Sequence, residues 1–263
     1  MKLRYLGFIL LWAASLGVSQ PAQAGTTESV TSFEQHAVLS RGGKLSVNDQ
    51  IDYDYGPATP HDISFTLPLT YHDDQGRDFR MSYHLISAQQ DGKDINLTPI
   101  VSIATARITL PSPASGTKSH YTLKYTLGPV ILRGLDADIF KLSATGLGWS
   151  VPIDHAIVRF ESPTKPADNV TCYTGPQGST TGSCTVDQQA NIASITSYAP
   201  LLPGETLSIF SDFPHASFST YLEPYEQRRT TPLTLLAFTG LSLGGFIALI
   251  VGFTMYRRRS QER

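Results

Sequence analysis

Between Arg229 and Arg257 the chain carries no charged residue. Within that gap, Leu233–Tyr256 is a 24-residue apolar stretch, which as a helix is about 36 Å long. The hydrocarbon core of a bilayer is about 30 Å thick, so this length predicts one membrane-spanning helix with some tilt. Arg257-Arg258-Arg259 follows it directly, and Arg228-Arg229 precedes it. The denser basic cluster predicts that the tail 257–263 stays in the cytoplasm.

The other end predicts export. Lys2 and Arg4 precede the uncharged run Leu6–Val18, and Ala22-Gln23-Ala24 places small residues where signal peptidase cuts. The run has 13 residues, short of the roughly 20 needed to span a membrane. Residues 1–24 are therefore expected to be a cleaved signal peptide. Residues 25–213 then form the exported body, 214–232 a juxtamembrane stalk and 233–256 the span. The short signal suits a Gram-negative inner membrane, with the body in the periplasm.

Charge and composition narrow the function classes. Residues 25–231 hold 14 Lys or Arg against 21 Asp or Glu. An acidic body has no general field for nucleic acid or anionic lipid, although a local basic patch remains open. Hydrophobic residues make up 41% and charged residues 16%, enough apolar mass for the bulk of the chain to fold.

Alternation of period two recurs through the exported part and predicts half-buried strands. His120–Leu127 alternates throughout. Lys44–Tyr55 puts Leu45 and Val47, then Ile51, Tyr53 and Tyr55, on one face. Ile63–Leu67, Met81–Leu85, Ala106–Leu110, His155–Phe160, Asn191–Ser197 and Thr206–Phe210 behave alike. Gly42-Gly43, Asp91-Gly92, Pro111-Ser112-Pro113 and Pro203-Gly204 supply turns. The expected fold is all-β: an antiparallel β-sandwich of one or two packed modules, with any seam near Gly128–Gly134, plus the single C-terminal helix. Phe218, Tyr221 and Tyr225 in the stalk either rest at the membrane interface or pack onto the body.

Both cysteines, Cys172 and Cys184, lie in the exported part, where disulfides persist. Bridging them would staple a Gly- and Ser-rich loop that is otherwise costly to order. Their spacing is not Cys-x-x-Cys, so a redox pair is not favoured.

The order of certain elements adds a family resemblance. Gly43-Lys44-Leu45-Ser46-Val47 and His120–Tyr125 are followed by Gly146-Leu147-Gly148-Trp149-Ser150-Val151-Pro152-Ile153. Cys172-Tyr173-Thr174-Gly175, Cys184 and Leu202-Pro203-Gly204-Glu205 come next. Over most of residues 30–215 the chain resembles the bacterial predicted membrane proteins of domain of unknown function 2207. The resemblance implies an exported β domain and supplies no catalytic residue, cofactor or activity. Many family members continue past the first span into further hydrophobic regions.

No motif in the residues specifies chemistry. Trp149 reads as a core aromatic, with a sugar-stacking platform as the alternative. His72–Asp78 gathers an imidazole and carboxylates, but Asp73, Asp74 and Asp78 with Gly76 do not follow a calcium-loop series, so a polar hairpin is expected. The other histidines (His36, His61, His84, His120, His155 and His215) lack paired metal-ligand spacing. A phosphate-loop motif is missing. In the apolar stretch, Gly240, Gly244, Ala248 and Gly252 fall four apart and form one small-residue stripe on a helix. Such stripes favour close helix association, although glycine is common in spans. The leading expectation is a non-enzymatic envelope protein without a cofactor. It would bind another envelope protein or a wall polymer and associate with itself or others through its helix. The alternative is an envelope hydrolase using carboxylates from distant positions.

Overall fold

Residues 28–72 and 76–225 are described by a computed structural model. They fold into β1 (Ser29–Leu39), β2 (Leu45–Asp54), β3 (Ile63–Pro68), β4 (Thr70–His72), β5 (Asp78–Arg80) and β6 (Ser82–Gln90). Next come β7 (Lys93–Asp94), β8 (Ile100–Val101), β9 (Thr105–Leu110), β10 (Lys118–Gly128), β11 (Ile131–Arg133) and β12 (Ala137–Ser143). The last five are β13 (Ala156–Glu161), β14 (Thr171–Gly175), β15 (Cys184–Gln189), β16 (Ile192–Ser197) and β17 (Thr206–Pro214). The described body is all-β and contains no helix, so no described helix is long and apolar enough to cross a membrane. The signal segment, the stretch 233–256 with its stripe, and the tail lie outside the described residues.

An eight-stranded sheet runs β15-β16-β13-β1-β2-β10-β6-β7. Its ladders are antiparallel except β1–β13, which is parallel and sets Phe33 opposite Ala156. Smaller sheets run β11-β12-β17-β14 and β3-β9-β8, and β4 pairs with β5. The large sheet has one buried face. On β2, Leu45, Val47, Asp49, Ile51 and Tyr53 point inward and Ser46, Gln50 and Asp52 outward. That is the sequence alternation realised, because successive strand side chains take opposite faces.

The smaller sheets cover the buried face. Phe140 of β12 stacks on Phe160 of β13, with centroids 4.7 Å apart. Trp149 stacks on Phe65 of β3 at 4.7 Å and meets Phe33 of β1 edge-on at 6.4 Å. Its Nε1–H donates to the Thr145 carbonyl at 2.7 Å, so the indole is buried with its polar atom satisfied. These contacts belong to one continuous hydrophobic core, which extends across the Gly128–Gly134 region.

Cys172 and Cys184 form a disulfide. Cys172 is on β14, at one edge of the four-stranded sheet, and Cys184 is on β15, at one edge of the large sheet. The bridge therefore fastens two sheets together as well as closing a loop. Val170 N–H donating to Gln188 Oε1 at 2.8 Å ties the same two strands' surroundings. Replacing both cysteines by alanine should lower stability by about 3 kcal/mol, from the loop-closure entropy alone. Thermal unfolding of oxidised, reduced and doubly substituted protein checks this; the last two should coincide.

After β17 the chain turns back along the body. Phe218, Tyr221 and Leu222 are buried, and Phe218 meets Phe213 edge-on at 5.1 Å. Of the two placements open to the stalk aromatics, packing on the body holds for Phe218 and Tyr221. Asp138, fully buried on β12, accepts from Tyr221 Oη at 2.9 Å and Ser217 N–H at 2.8 Å. Ser219 N–H donates to the Arg41 carbonyl and Leu222 N–H to that of Ile131. Gly43, at φ +70°, lets the β1–β2 turn approach this strap, since a Cβ there would lie 2.4 Å from the Thr220 carbonyl oxygen.

Candidate functional site

Three arrangements stand out from ordinary packing. The first is a groove of about 350 Å³ lined by Thr31, Asp52, Tyr53, Asp91, Lys118, Ser119 and His120. The β2–β10 register sets His120 opposite Asp52 on the outer face of the large sheet. His120 Nδ1 is 2.7 Å from Asp52 Oδ1, and its Nε2 is 3.3 Å from Thr122 Oγ1. Asp91 accepts from His120 N–H at 2.9 Å and from Ser119 Oγ at 3.3 Å. Asp–His–Thr contacts in this order resemble a proton relay. The backbone amides of β10 are engaged in ladders on both sides, so they are not free to act as oxyanion donors beside Thr122. The groove is open to solvent, which also weakens its electrostatics.

The second is a polar cluster inside the core. Asp49, 1% exposed, accepts from Gln35 Nε2 at 2.9 Å, and the same nitrogen reaches the Ala144 carbonyl at 2.8 Å. Tyr125 lies beside the carboxyl, and Tyr83 also feels its charge. Burial pushes Asp49 up to about 7, against the smaller opposing pull of Gln35 and Tyr125. Among the described residues, Asp49 Oδ2, Gln35 Oε1 and Tyr83 Oη have no hydrogen-bond partner. The sequence held a signal for this cluster. Asp49 occupies the inward position in Leu45-x-Val47-x-Asp49-x-Ile51-x-Tyr53, and Gln35 falls between inward Phe33 and Ala37.

The third is a groove of about 280 Å³ where the strap meets β5 and β11, lined by Arg77, Phe79, Arg133, Tyr221, Leu222, Glu223 and Pro224. Arg133 stacks on the Tyr221 ring at 4.0 Å, and Arg77 lies 5.4 Å from the Phe79 centroid.

The residues singled out from sequence distribute differently. Trp149 is core. His72 and Asp78 contact each other through their side chains across the β4–β5 pair, a polar hairpin. Among the described residues no group of three or more His, Cys, Asp or Glu side chains is placed to hold a metal. Gly240, Gly244, Ala248 and Gly252 lie outside the described residues.

Residues 29–212 match the family model described as predicted membrane protein (DUF2207) N-terminal domain. The chain belongs to this family. The DUF2207 match spans β1 to within β17, and so covers the body that carries the first two arrangements. A search of curated proteins finds no match. Among solved structures, native yeast LTA4 hydrolase aligns at 10% identity and TM-score 0.45, over 77% of this chain and 33% of that one. An M1 zinc metallopeptidase from Deinococcus radiodurans aligns at 15% identity and TM-score 0.36, over 70% and 42%. This chain thus spans about a third of the length of the yeast hydrolase. At such scores the likenesses carry no argument about activity.

Proposed function

We propose that this chain is a non-enzymatic, single-pass envelope protein that displays its β body for binding or assembly. A cleaved signal exports the body, Leu233–Tyr256 anchors it in the inner membrane, and Arg257–Arg263 remains in the cytoplasm. The carrying observation is the membrane-protein family match across the body, combined with the uncharged stretch behind it. The two grooves described above are open to solvent, a form that suits a binding surface. The partner class is another envelope protein or a wall polymer. Crosslinking in native membranes followed by pull-down tests it: specific, reproducible envelope partners are expected. A purified chain that turns over an envelope substrate would overturn it.

The hydrolase alternative draws on Asp52 and Asp91, which line one groove with His120 between their hydrogen bonds. It requires Asp52→Asn or Asp91→Asn to abolish a measured turnover. Association through the Gly240, Gly244, Ala248 and Gly252 stripe is part of the main reading. Gly244→Ile should shift the native oligomer distribution toward monomer in blue-native gels; an unchanged distribution removes that part.

A further inference from the structure

We infer that the arginine groove beside the strap receives the phosphate of an anionic lipid headgroup, with Arg133 as its main donor. The inference rests on the membrane-anchored reading, and its test separates the two.

Arg133 is exposed at the end of β11 and stacked on Tyr221. The guanidinium carbon lies over the Tyr221 ring, and among the described residues no hydrogen bond takes up its N–H groups. Stacking also restricts the side chain before any ligand arrives, which lowers the ordering cost of binding. Tyr221 is in turn fixed by its hydrogen bond to buried Asp138. A planar fork of donors held in this way suits phosphate oxygens, which accept charge-assisted hydrogen bonds in pairs. Among the described residues no carboxylate forms an ion pair with Arg133. Arg77 brings a second guanidinium to the same groove, although it already has an interaction of its own. Glu223 also lines the groove and opposes an anion, so the guanidinium charge there is partly offset. Phe79, Leu222 and Pro224 supply the apolar part of the groove's wall.

Position selects a lipid over a soluble phosphate. Tyr225 N–H donates to the Asp78 carbonyl at 2.5 Å, fixing the chain at the groove's edge. Leu233 follows eight residues later, so the groove's edge lies no more than about 29 Å of extended chain from the start of the apolar stretch. A tether of that length holds the groove near headgroups at high local concentration. The acidic average of the body does not prevent this, because a stacked arginine acts over a few ångströms while distant charges are screened by salt.

The intact chain, purified in mild detergent, would be titrated by native mass spectrometry with short-chain phosphatidylglycerol, short-chain phosphatidylcholine and glycerol 3-phosphate. Phosphatidylglycerol should bind best. Arg133→Ala should weaken it about tenfold, the scale of one charge-assisted hydrogen-bonding group. Arg133→Lys should fall between, since an ammonium keeps the charge but loses the stacked fork. Lys165→Ala, a charge-matched change in another loop, should leave binding unaltered. Unchanged binding in Arg133→Ala, or no phosphatidylglycerol binding by the wild type, overturns the inference. Glycerol 3-phosphate binding as tightly as the lipid overturns its lipid part. If Arg133→Ala lowers the unfolding temperature, Arg133→Lys with an unaltered temperature decides instead. Carbonate extraction of native membranes is run in parallel. Release of the wild type defeats the anchored reading, whereas retention with no lipid selectivity defeats only the groove assignment.

Discussion

Asp49→Asn should make the protein more stable at pH 8 and leave it nearly unchanged at pH 4. The Asp49 carboxyl is pushed up to about 7 by burial, from an ordinary 3.8. Between those values the folded state holds a proton that the unfolded chain has released. Stability associated with this group is therefore intact below about pH 3.8, declines as pH rises and is gone above about 7. The full span is on the order of 4 kcal/mol, taking each unit of displacement at its usual free energy. Asparagine is nearly isosteric with the protonated acid and can still accept from Gln35, so it removes the slope without emptying the site. The groups facing Asp49 are Gln35, Tyr125 and Tyr83, and none of them is a cation that would stabilise its charge. Two partly exposed carboxylates act in the opposite sense. Asp54, held low chiefly by the Gly56 N–H, and Glu161, held low chiefly by His36, lose their contribution as pH falls through their own lowered values. Stability should thus peak in mild acid. Thermal unfolding of the intact chain in detergent from pH 4 to pH 8 measures it; a wild type whose unfolding temperature does not fall over that range contradicts the assignment.

Trp149→Ala should cost about 3–5 kcal/mol, the usual range for deleting a large buried aromatic. The indole lies between Phe65 of the three-stranded sheet and Phe33 of the large sheet, so its loss opens a cavity where the sheets meet. It also leaves the Thr145 carbonyl without its 2.7 Å donor. A domain is typically stable by only about 5–15 kcal/mol, so the variant should be depleted from membranes at growth temperature. Trp149→Phe keeps most of the volume and should recover a large part of the loss. If Trp149→Ala unfolds at the wild-type temperature, the tryptophan is not the joint described, and its other reading as a surface platform returns.

Alternation exposed most long strands because each one has a wet face and a dry face. The strands it did not reveal have other reasons. β1 has a regular inward set of Phe33, Gln35, Ala37 and Leu39, but glutamine and alanine dilute the apolar signal. β14 and β15 lie at sheet edges with few buried positions. β7 and β8 are two residues each, too short to show a period. The candidate sites were less legible. Asp52 and His120 are 68 residues apart and Arg133 and Tyr221 are 88 apart, so no local spacing links them.

By itself, the sequence determined the β class, the family and the inward-facing side chains of the long strands with regular alternation, such as β2 and β10. These follow from local chemistry: strand geometry fixes a period of two, and apolar or small residues mark themselves wherever they fall. Tertiary structure alone decided that β1 runs parallel to β13, that the disulfide fastens the edges of two sheets, and that the strap after β17 folds back onto the body. It alone also decided that Asp49 lies in the dry interior with no cation beside it. Pairing order and burial depend on which distant surfaces meet, and that is set by the packing of the whole core rather than by any window of the chain.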